Sequence, residues 1–378
     1  MAKAPLRVAV LGAGPVGLEA ALYAHALGLT VNVFEKGQVG EHLTRWGHVR
    51  LFTPFSMNTT PLGRQTLFRE NPKREFPADT DLLTGREFRE AYLVPLAESP
   101  TLLESLHPQH AVLFVGRPRT KPNEPFQVLV RSDGGQERVV VADVVLDCTG
   151  TYSRPNWMGE ANIPAIGELP ARQHIASGLE DVLGAKRDHY AGRSIVLVGA
   201  GYSAAHTMRQ LATLAEEHPA TWVFWLTRGP RGQQPLPRIP GDPLKERDRL
   251  AARANSLATR GDGNLEFHTQ IGIEEIVCHG PDKGFRITAR SGSKRLVWDV
   301  ERVIANVDYR AEMRLCEALH VDEPTGSIAT REPGYFILGA KSQGRGSGFL
   351  LKTGFEQIRQ VFAQVLGPTR LDPYRAAV

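Results

Sequence analysis

Leu6-Arg7-Val8-Ala9-Val10-Leu11-Gly12-Ala13-Gly14-Pro15-Val16-Gly17 is a strand-length, mostly apolar run that passes directly into a glycine-rich turn. A helical stretch follows to about Gly28, and Val31–Glu35 reads as a second strand. The same order recurs far downstream. Ser194–Val198 leads into Gly199-Ala200-Gly201-Tyr202-Ser203-Ala204, and Thr221–Thr227 closes the repeat as another strand. Between them Ala204, Met208, Leu211, Ala212 and Ala215 recur at the spacing of one helix face. Strand, glycine turn, helix, strand is the βαβ unit of a dinucleotide-binding domain. Two copies predict an α/β chain with two Rossmann-like dinucleotide-binding domains.

Each unit is trailed by short β-like segments, which predict small β-meander insertions. In the first half these are Ala111–Val115, Phe126–Arg131 and Arg138–Val141, and in the second Leu265–His268, Phe285–Ala289 and Arg295–Trp298. Each half then has a further buried strand, Asp143–Asp147 and Arg302–Ala305. The last segment offers a strand, Tyr335–Leu338, and a helix from about Phe349 to Leu366, with no glycine turn of its own. The expected organisation is therefore a discontinuous first domain (1–155 and 303–378) with a linker and the second domain inserted at 156–302. Proline-rich stretches, Arg154–Pro170 and Gly229–Pro243, mark the joints as ordered, non-helical loops.

Composition narrows the function classes. The 378 residues are enough for two to three domains at roughly 150 each. Hydrophobic residues at 42% and charged residues at 23% are ordinary for a globular chain, and exclude a disordered or fibrous one. A net charge of +4 with no run of five basic residues suits phosphate-bearing ligands and argues against nucleic acid. Cys148, Cys278 and Cys316 form no C-x-x-C pair, so a local redox dithiol is absent and a reducing, cytoplasmic setting is expected. No apolar run reaches the roughly 18 residues of a membrane span. The glycine turn interrupts the only stretch that resembles a signal peptide. The twelve histidines show no metal-ligand spacing, so no metal is expected.

The glycine turns carry the chemistry. A pyrophosphate needs close approach of backbone, which glycine permits, and a helix N-terminus, which supplies unpaired N–H groups. Gly12, Gly14, Pro15 and Gly17 provide this in the first copy; Gly199, Gly201, Tyr202, Ser203 and Ala204 provide it in the second, with Ala204 in the third glycine's place. Glu35 ends the first unit's second strand, where a carboxylate accepts from ribose hydroxyls and repels a 2′-phosphate. The first site therefore fits FAD or NAD. The matching place in the second unit holds Arg228 and Arg231 and no acid, which fits NADPH. The alternative for these arginines is solvated loop charge.

At these residues the chain resembles the flavin-containing monooxygenases and related FAD/NADPH flavoproteins with two dinucleotide-binding domains. The resemblance rests on Gly12–Gly17 with Phe34-Glu35-Lys36, on Trp46 followed by Val49-Arg50-Leu51-Phe52-Thr53-Pro54, on Gly199–Ala204, and on Asp147-Cys148-Thr149-Gly150-Thr151-Tyr152. It implies that FAD is held by the first set, with Lys36, Trp46, Thr149, Gly150, Gly339, Gly348 and Phe349 among its neighbours. It also implies a helix from near Ser347 aimed at the flavin, and Asn58 as a catalytic side chain over the flavin edge. Three departures stand out. The His-containing fingerprint between domains is degenerate around Gly167 and His174, Asn306-Val307-Asp308-Tyr309 replaces the usual Ala-Thr-Gly-Tyr, and Gly339-Ala340 replaces Gly-Asp.

The resemblance implies an NADPH-dependent monooxygenase that inserts oxygen into a small organic molecule through a flavin hydroperoxide, with molecular oxygen as co-substrate. Its active site is expected at the carboxyl ends of the two sheets, between the domains. The competing expectation keeps both cofactors and passes electrons to a quinone, ferredoxin or protein acceptor. A third is a flavin-binding sensor without catalysis. Substrate and oligomeric state are left open by the sequence.

Overall fold

The computed structural model describes residues 4–118, 124–230, 232–260, 263–280, 282–344, 348–367 and 372–377. The chain divides into two compact units, Met1–Arg154 with Arg310–Val378, and Pro155–Tyr309. The longest described helices are α1 (Pro15–Ala26), α2 (Tyr202–Glu217), α3 (Lys245–Ala258) and α4 (Leu351–Leu366).

In the first unit, β1 (Arg7–Leu11) pairs in parallel with β2 (Thr30–Phe34) and with β7 (Val144–Asp147). The sheet extends to β3 (Leu106–His107) beyond β2 and to β16 (Tyr335–Ile337) beyond β7. Both faces are covered, so its strands are apolar on both sides. Val8, Val10, Val144 and Leu146 face a core shared with α1 and α4; Ala9, Leu11 and Val145 face the antiparallel sheet β4 (His110–Gly116), β5 (Phe126–Ser132), β6 (Glu137–Ala142).

The second unit repeats the plan. A parallel sheet runs in the order β11 (Leu265–His268), β10 (Trp222–Leu226), β9 (Ser194–Val198), β15 (Arg302–Ala305), β8 (Ala176–Ser177). The strands β12 (Gly272–Cys278), β13 (Phe285–Ser291) and β14 (Lys294–Val300) form an antiparallel sheet that shares a core with Val196, Val198 and Val303.

Several elements differ from the sequence reading. Leu265–His268 is not a meander strand; it pairs in parallel with β10. The third meander strand is β12, whose alternation is broken by a bulge between Ile273 and Glu275. The strand β15 pairs with β9 along its whole length, so the chain returns to the first unit only at Arg310, later than the expected boundary at 303. Gly229–Pro243 lies inside the second unit and is not a joint. The last long helix starts at Leu351, two residues beyond the expected Phe349, and Ser347 lies outside the described residues.

One core feature is polar. Glu19, on α1, is fully buried, and no cation of the described residues lies beside it. Tyr92 donates to its Oε1, and the Thr60 hydroxyl donates to Oε2 at 2.8 Å. Tyr374, near the C-terminus, donates to the same oxygen at 3.4 Å. Tyr92 lies in a π-helical turn, Arg89–Leu93, and a side chain at Gly63 would collide with its hydroxyl. Burial pushes the Glu19 carboxyl up to about 7, against the lowering pull of its three hydroxyl donors. A carboxyl that titrates higher folded than unfolded gives stability that is complete below the unfolded value of about 4.3 and is lost as pH rises through 7. The linkage over that window is on the order of 3 kcal/mol. Thermal melts from pH 5 to 8 should therefore show wild-type Tm falling relative to Glu19→Gln, which titrates nothing there; parallel curves would refute the assignment.

Candidate functional site

The first glycine turn sits where the strand order reverses, between β1 and β7, the place where doubly wound sheets bind ligands. Gly12 has φ +97°, and a Cβ there would lie 2.9 Å from the Cys148 carbonyl oxygen at the end of β7. A Cβ at Gly17 would collide with the Gly12 carbonyl, so α1 packs directly on the turn. Gly14, by contrast, faces open space: no heavy atom lies within 4 Å of a Cβ placed there. It is the N-cap of α1, with no side-chain cap and no acid in the first turn. Among the described residues no side chain caps this helix N-terminus, where backbone is most approachable.

Glu35 takes a structural part. Its Oε2 accepts from Ala13 N–H and its Oε1 from Gly37 N–H, each at 2.9 Å, so it braces both loops around the turn. Each oxygen keeps a lone pair for a ribose hydroxyl. Lys36 is exposed. Gly40 N–H bonds to the Ala13 carbonyl at 3.0 Å and brings in the segment carrying His42 and Trp46. Both rings approach Tyr152, with centroids 5.6 and 6.3 Å away. The indole Nε1 of Trp46 and Nδ1 of His42 are buried without a hydrogen-bond partner among the described residues. Burial, with Arg45 and Lys36 nearby, pushes His42 down to about 4, so it is neutral at pH 7.

The C-terminal residues close the other side. Gly339 has φ +72° and packs on Val16, its N–H bonded to the buried Gln357 at 2.8 Å. Phe349 and Val16 both crowd Gly354 of α4, and Gly348 faces open space. Thr149 is held through its N–H and hydroxyl by Asp147 Oδ1, at 3.2 and 2.6 Å, and Gly150 turns the chain at φ +68°.

Asn58 is engaged within its own loop. It is 1% exposed, its amide oxygen accepts from the Thr53 hydroxyl at 2.7 Å, and its amide nitrogen donates to the Thr53 carbonyl at 3.0 Å. The side chain closes its own short helix, Phe55–Asn58.

The second turn follows the same rules at the reversal between β9 and β15. Gly199 has φ +141°, and a Cβ would collide with the Asn306 carbonyl at the end of β15. Gly201 is the uncapped N-cap of α2 and faces open space. Ala204 is fully buried where the first copy has Gly17. Tyr202 and Ser203, the first residues of α2, are half-buried.

Arg228 is occupied in a way the sequence did not reveal. Its Nη2 donates to the carbonyl oxygens of Trp157, Met158 and Gly159 at 2.7, 3.1 and 2.9 Å, and Nη1 reaches Asn162 Oδ1 at 3.4 Å. No carboxylate neutralises it within these bonds. It lines an open pocket of ≈ 490 Å³ with Glu160, Ala161, Pro230, Gln270 and Ile271. Ala161, Asn162 and Gln270 there hold positive φ of 52°, 59° and 57°, strained for residues with side chains. Arg231 lies outside the described residues.

Sequence reasoning passed over Lys341. Its side chain is fully buried and its ammonium contacts Asp147 at 2.6 Å. Only its position two residues beyond Gly339 marked it out. Among the described residues no group of three His, Cys, Asp or Glu is placed to hold a metal, and no helix is long and apolar enough to cross a membrane.

Residues 9–224, more than half the chain, match the pyridine nucleotide-disulphide oxidoreductase family. The chain belongs to that family. It is an oxidoreductase with FAD and NADPH as its cofactors. No curated protein matches it. Bacillithiol disulfide reductase from Bacillus cereus is 18% identical with a TM-score of 0.72, over 97% of this chain and 100% of that one. DfoA, the cadaverine monooxygenase of desferrioxamine biosynthesis from Erwinia amylovora, is 15% identical with a TM-score of 0.67, over 98% and 96%. Thioredoxin reductase from T. acidophilum is 14% identical with a TM-score of 0.61, over 99% of each chain. These likenesses show a common two-dinucleotide-domain fold.

The bare glycines and the orphaned Trp46 and His42 nitrogens fit the family's cofactors, and they supply a test that separates folding from binding. Gly14→Ser places a favourable N-cap hydroxyl on α1, in open space, so the apoprotein should keep or gain stability. The same hydroxyl takes N–H groups a pyrophosphate needs. FAD retention should fall at least about tenfold, the loss of one charge-assisted bond. Undiminished FAD content in a purified variant would refute the assignment.

Proposed function

We propose that this chain is an NADPH-dependent flavin monooxygenase for a small organic substrate. FAD is assigned to the turn Gly12–Gly17, in the unit of Met1–Arg154 and Arg310–Val378. NADPH is assigned to the turn Gly199–Ala204, in the unit Pro155–Tyr309. FAD supplies the redox chemistry: when bound, it takes hydride from NADPH and passes the electrons to oxygen.

The observation that carries this reading over disulfide reduction is the state of the cysteines. All three are free. Cys148 borders the first turn, with its Cβ 3.5 Å from where a Cβ on Gly17 would lie. Burial, and then the negative charge of Asp147, push its thiol far above the ordinary range. Thiol–disulfide exchange needs a thiolate, and this site disfavours one.

The chain's own part is binding, orientation and exclusion of water. Glu35 positions the ribose by accepting from its hydroxyls, and the bare N-terminus of α1 meets the pyrophosphate. Trp46 Nε1 offers a donor and His42 Nδ1 a donor or an acceptor, according to its tautomer, in a half-buried patch. His42 is neutral there and serves as a hydrogen-bonding group, because the burial and nearby cations that keep it neutral also disfavour its taking up a proton. In the second unit, Arg228 holds the Trp157–Gly159 carbonyls and presents its positive charge to the adjoining pocket, where a 2′-phosphate is favoured.

Turnover with NADPH under ¹⁸O₂, with amines, sulfides and ketones as candidates, should give an organic product carrying the label. NADPH oxidation with no labelled product, but with reduction of a quinone or protein acceptor, would replace this reading with a reductase. Arg228→Ala should lower Tm by a few degrees, because three carbonyls lose their donor. It should raise KM for NADPH about tenfold, as expected for one charged hydrogen bond, and leave NADH within about twofold. Equal rises would reduce Arg228 to a loop brace.

A further inference from the structure

Lys341 is an unusual residue to bury. Its side chain and that of Asp147 are both 0% exposed. Removing an ammonium and a carboxylate from water is expensive, and an apolar pair of similar size would often stabilise the fold as well or better. The pair therefore calls for a role that apolar residues cannot fill.

The hydrogen bonds supply one. The ammonium donates to Asp147 Oδ2 at 2.6 Å, to the Glu312 carbonyl at 2.6 Å and to the Thr149 hydroxyl at 3.2 Å. Tyr335 also donates to Asp147 Oδ2, at 2.8 Å. That leaves Oδ1 to hold the Thr149 N–H and hydroxyl. The Thr149 Cα lies 3.3 Å from a Cβ position on Gly12, so any shift of this turn presses on the first glycine. Lys341 leaves the sheet four residues after β16, in the Gly339–Gln343 turn that also carries Gly339.

We propose that Lys341 is a positioning residue for FAD: acting through Asp147, it fixes the Thr149–Gly150 turn against Gly12 in the shape that the cofactor requires. This rests on the assignment of FAD to the first turn. The family's Gly-Asp pair is missing here, and a lysine one position later grips the neighbouring strand end instead. The ion pair is neutral overall, so its effect is on shape rather than on the net charge of the pocket.

The test uses the full chain, with and without FAD. Lys341→Gln keeps a donor for Asp147 but drops the charge and shortens the reach. It should raise the Kd for FAD at least about tenfold, the equivalent of one charge-assisted bond, and speed amide exchange of Thr149 in the apoprotein. Asp147→Asn should do the same. The double variant should lose no more than the worse single, because both act on one turn. Losses that sum would overturn the proposal, as would unchanged FAD affinity and Thr149 exchange alongside a lowered Tm. Should Lys341→Gln fail to fold, Asp147→Asn carries both measurements, and normal values there overturn it equally. A wild-type protein that takes up no FAD would defeat the assignment of the site. The exchange of Thr149 would still decide the clamp.

Discussion

The close approach of a glycine to the end of the neighbouring strand is the contact on which both halves of this protein are built. Gly12 lies against the Cys148 carbonyl, and Gly199 against that of Asn306. In each unit this joins the turn after the first strand to the chain leaving the strand on its other side, β7 or β15. The sheet's order reverses at that point, so the glycine lies at the mouth of a crevice with a helix N-terminus beside it. A Cβ at either position would force the strands apart or tilt the helix. Positive φ adds a second reason for glycine there.

From that contact the duties of the other glycines follow. The second of each turn, Gly14 or Gly201, is one where a Cβ would meet no heavy atom of the described residues within 4 Å. Its lack of a side chain has no packing purpose within the fold, which makes it a mark of something external. The third position is internal: Gly17 seats α1 on the turn, and Ala204 shows that the second unit has room for one more methyl group. The two copies thus differ where packing allows and agree where the turn faces open space.

Two buried polar clusters in the first unit, one on α1 and one at the end of β7, obey opposite electrostatics. At Asp147, burial alone would raise the carboxyl, but Lys341, Thr149 and Tyr335 outweigh it and hold the group ionised. At Glu19 there are only hydroxyl donors, and burial wins. A full counter-charge offsets desolvation; neutral hydrogen bonds offset only part of it. The first cluster is a buried ion pair at the end of β7. The second changes charge near neutrality and ties α1 to the C-terminal Tyr374. Solved structures of the same fold include a disulfide reductase and a cadaverine monooxygenase, and a shared fold does not fix the acceptor.

The residues alone determined the architecture because strand, turn and helix signals in Leu6–Glu35 and Ser194–Thr227 are local and occur in the order the fold uses. The glycine spacing, Glu35 and the missing cysteine pair were legible for the same reason: each is a property of neighbours in the chain. The β12 strand was hidden by a bulge, and Leu265–His268 could not reveal whether its partner is parallel or antiparallel, since pairing is a distant choice. Asn58, Arg228 and Lys341 were beyond pattern altogether. Whether a polar side chain is spent on its own loop, on three carbonyls or on a carboxylate 194 positions away depends on what folding brings within hydrogen-bond reach, and only the packed chain decides that.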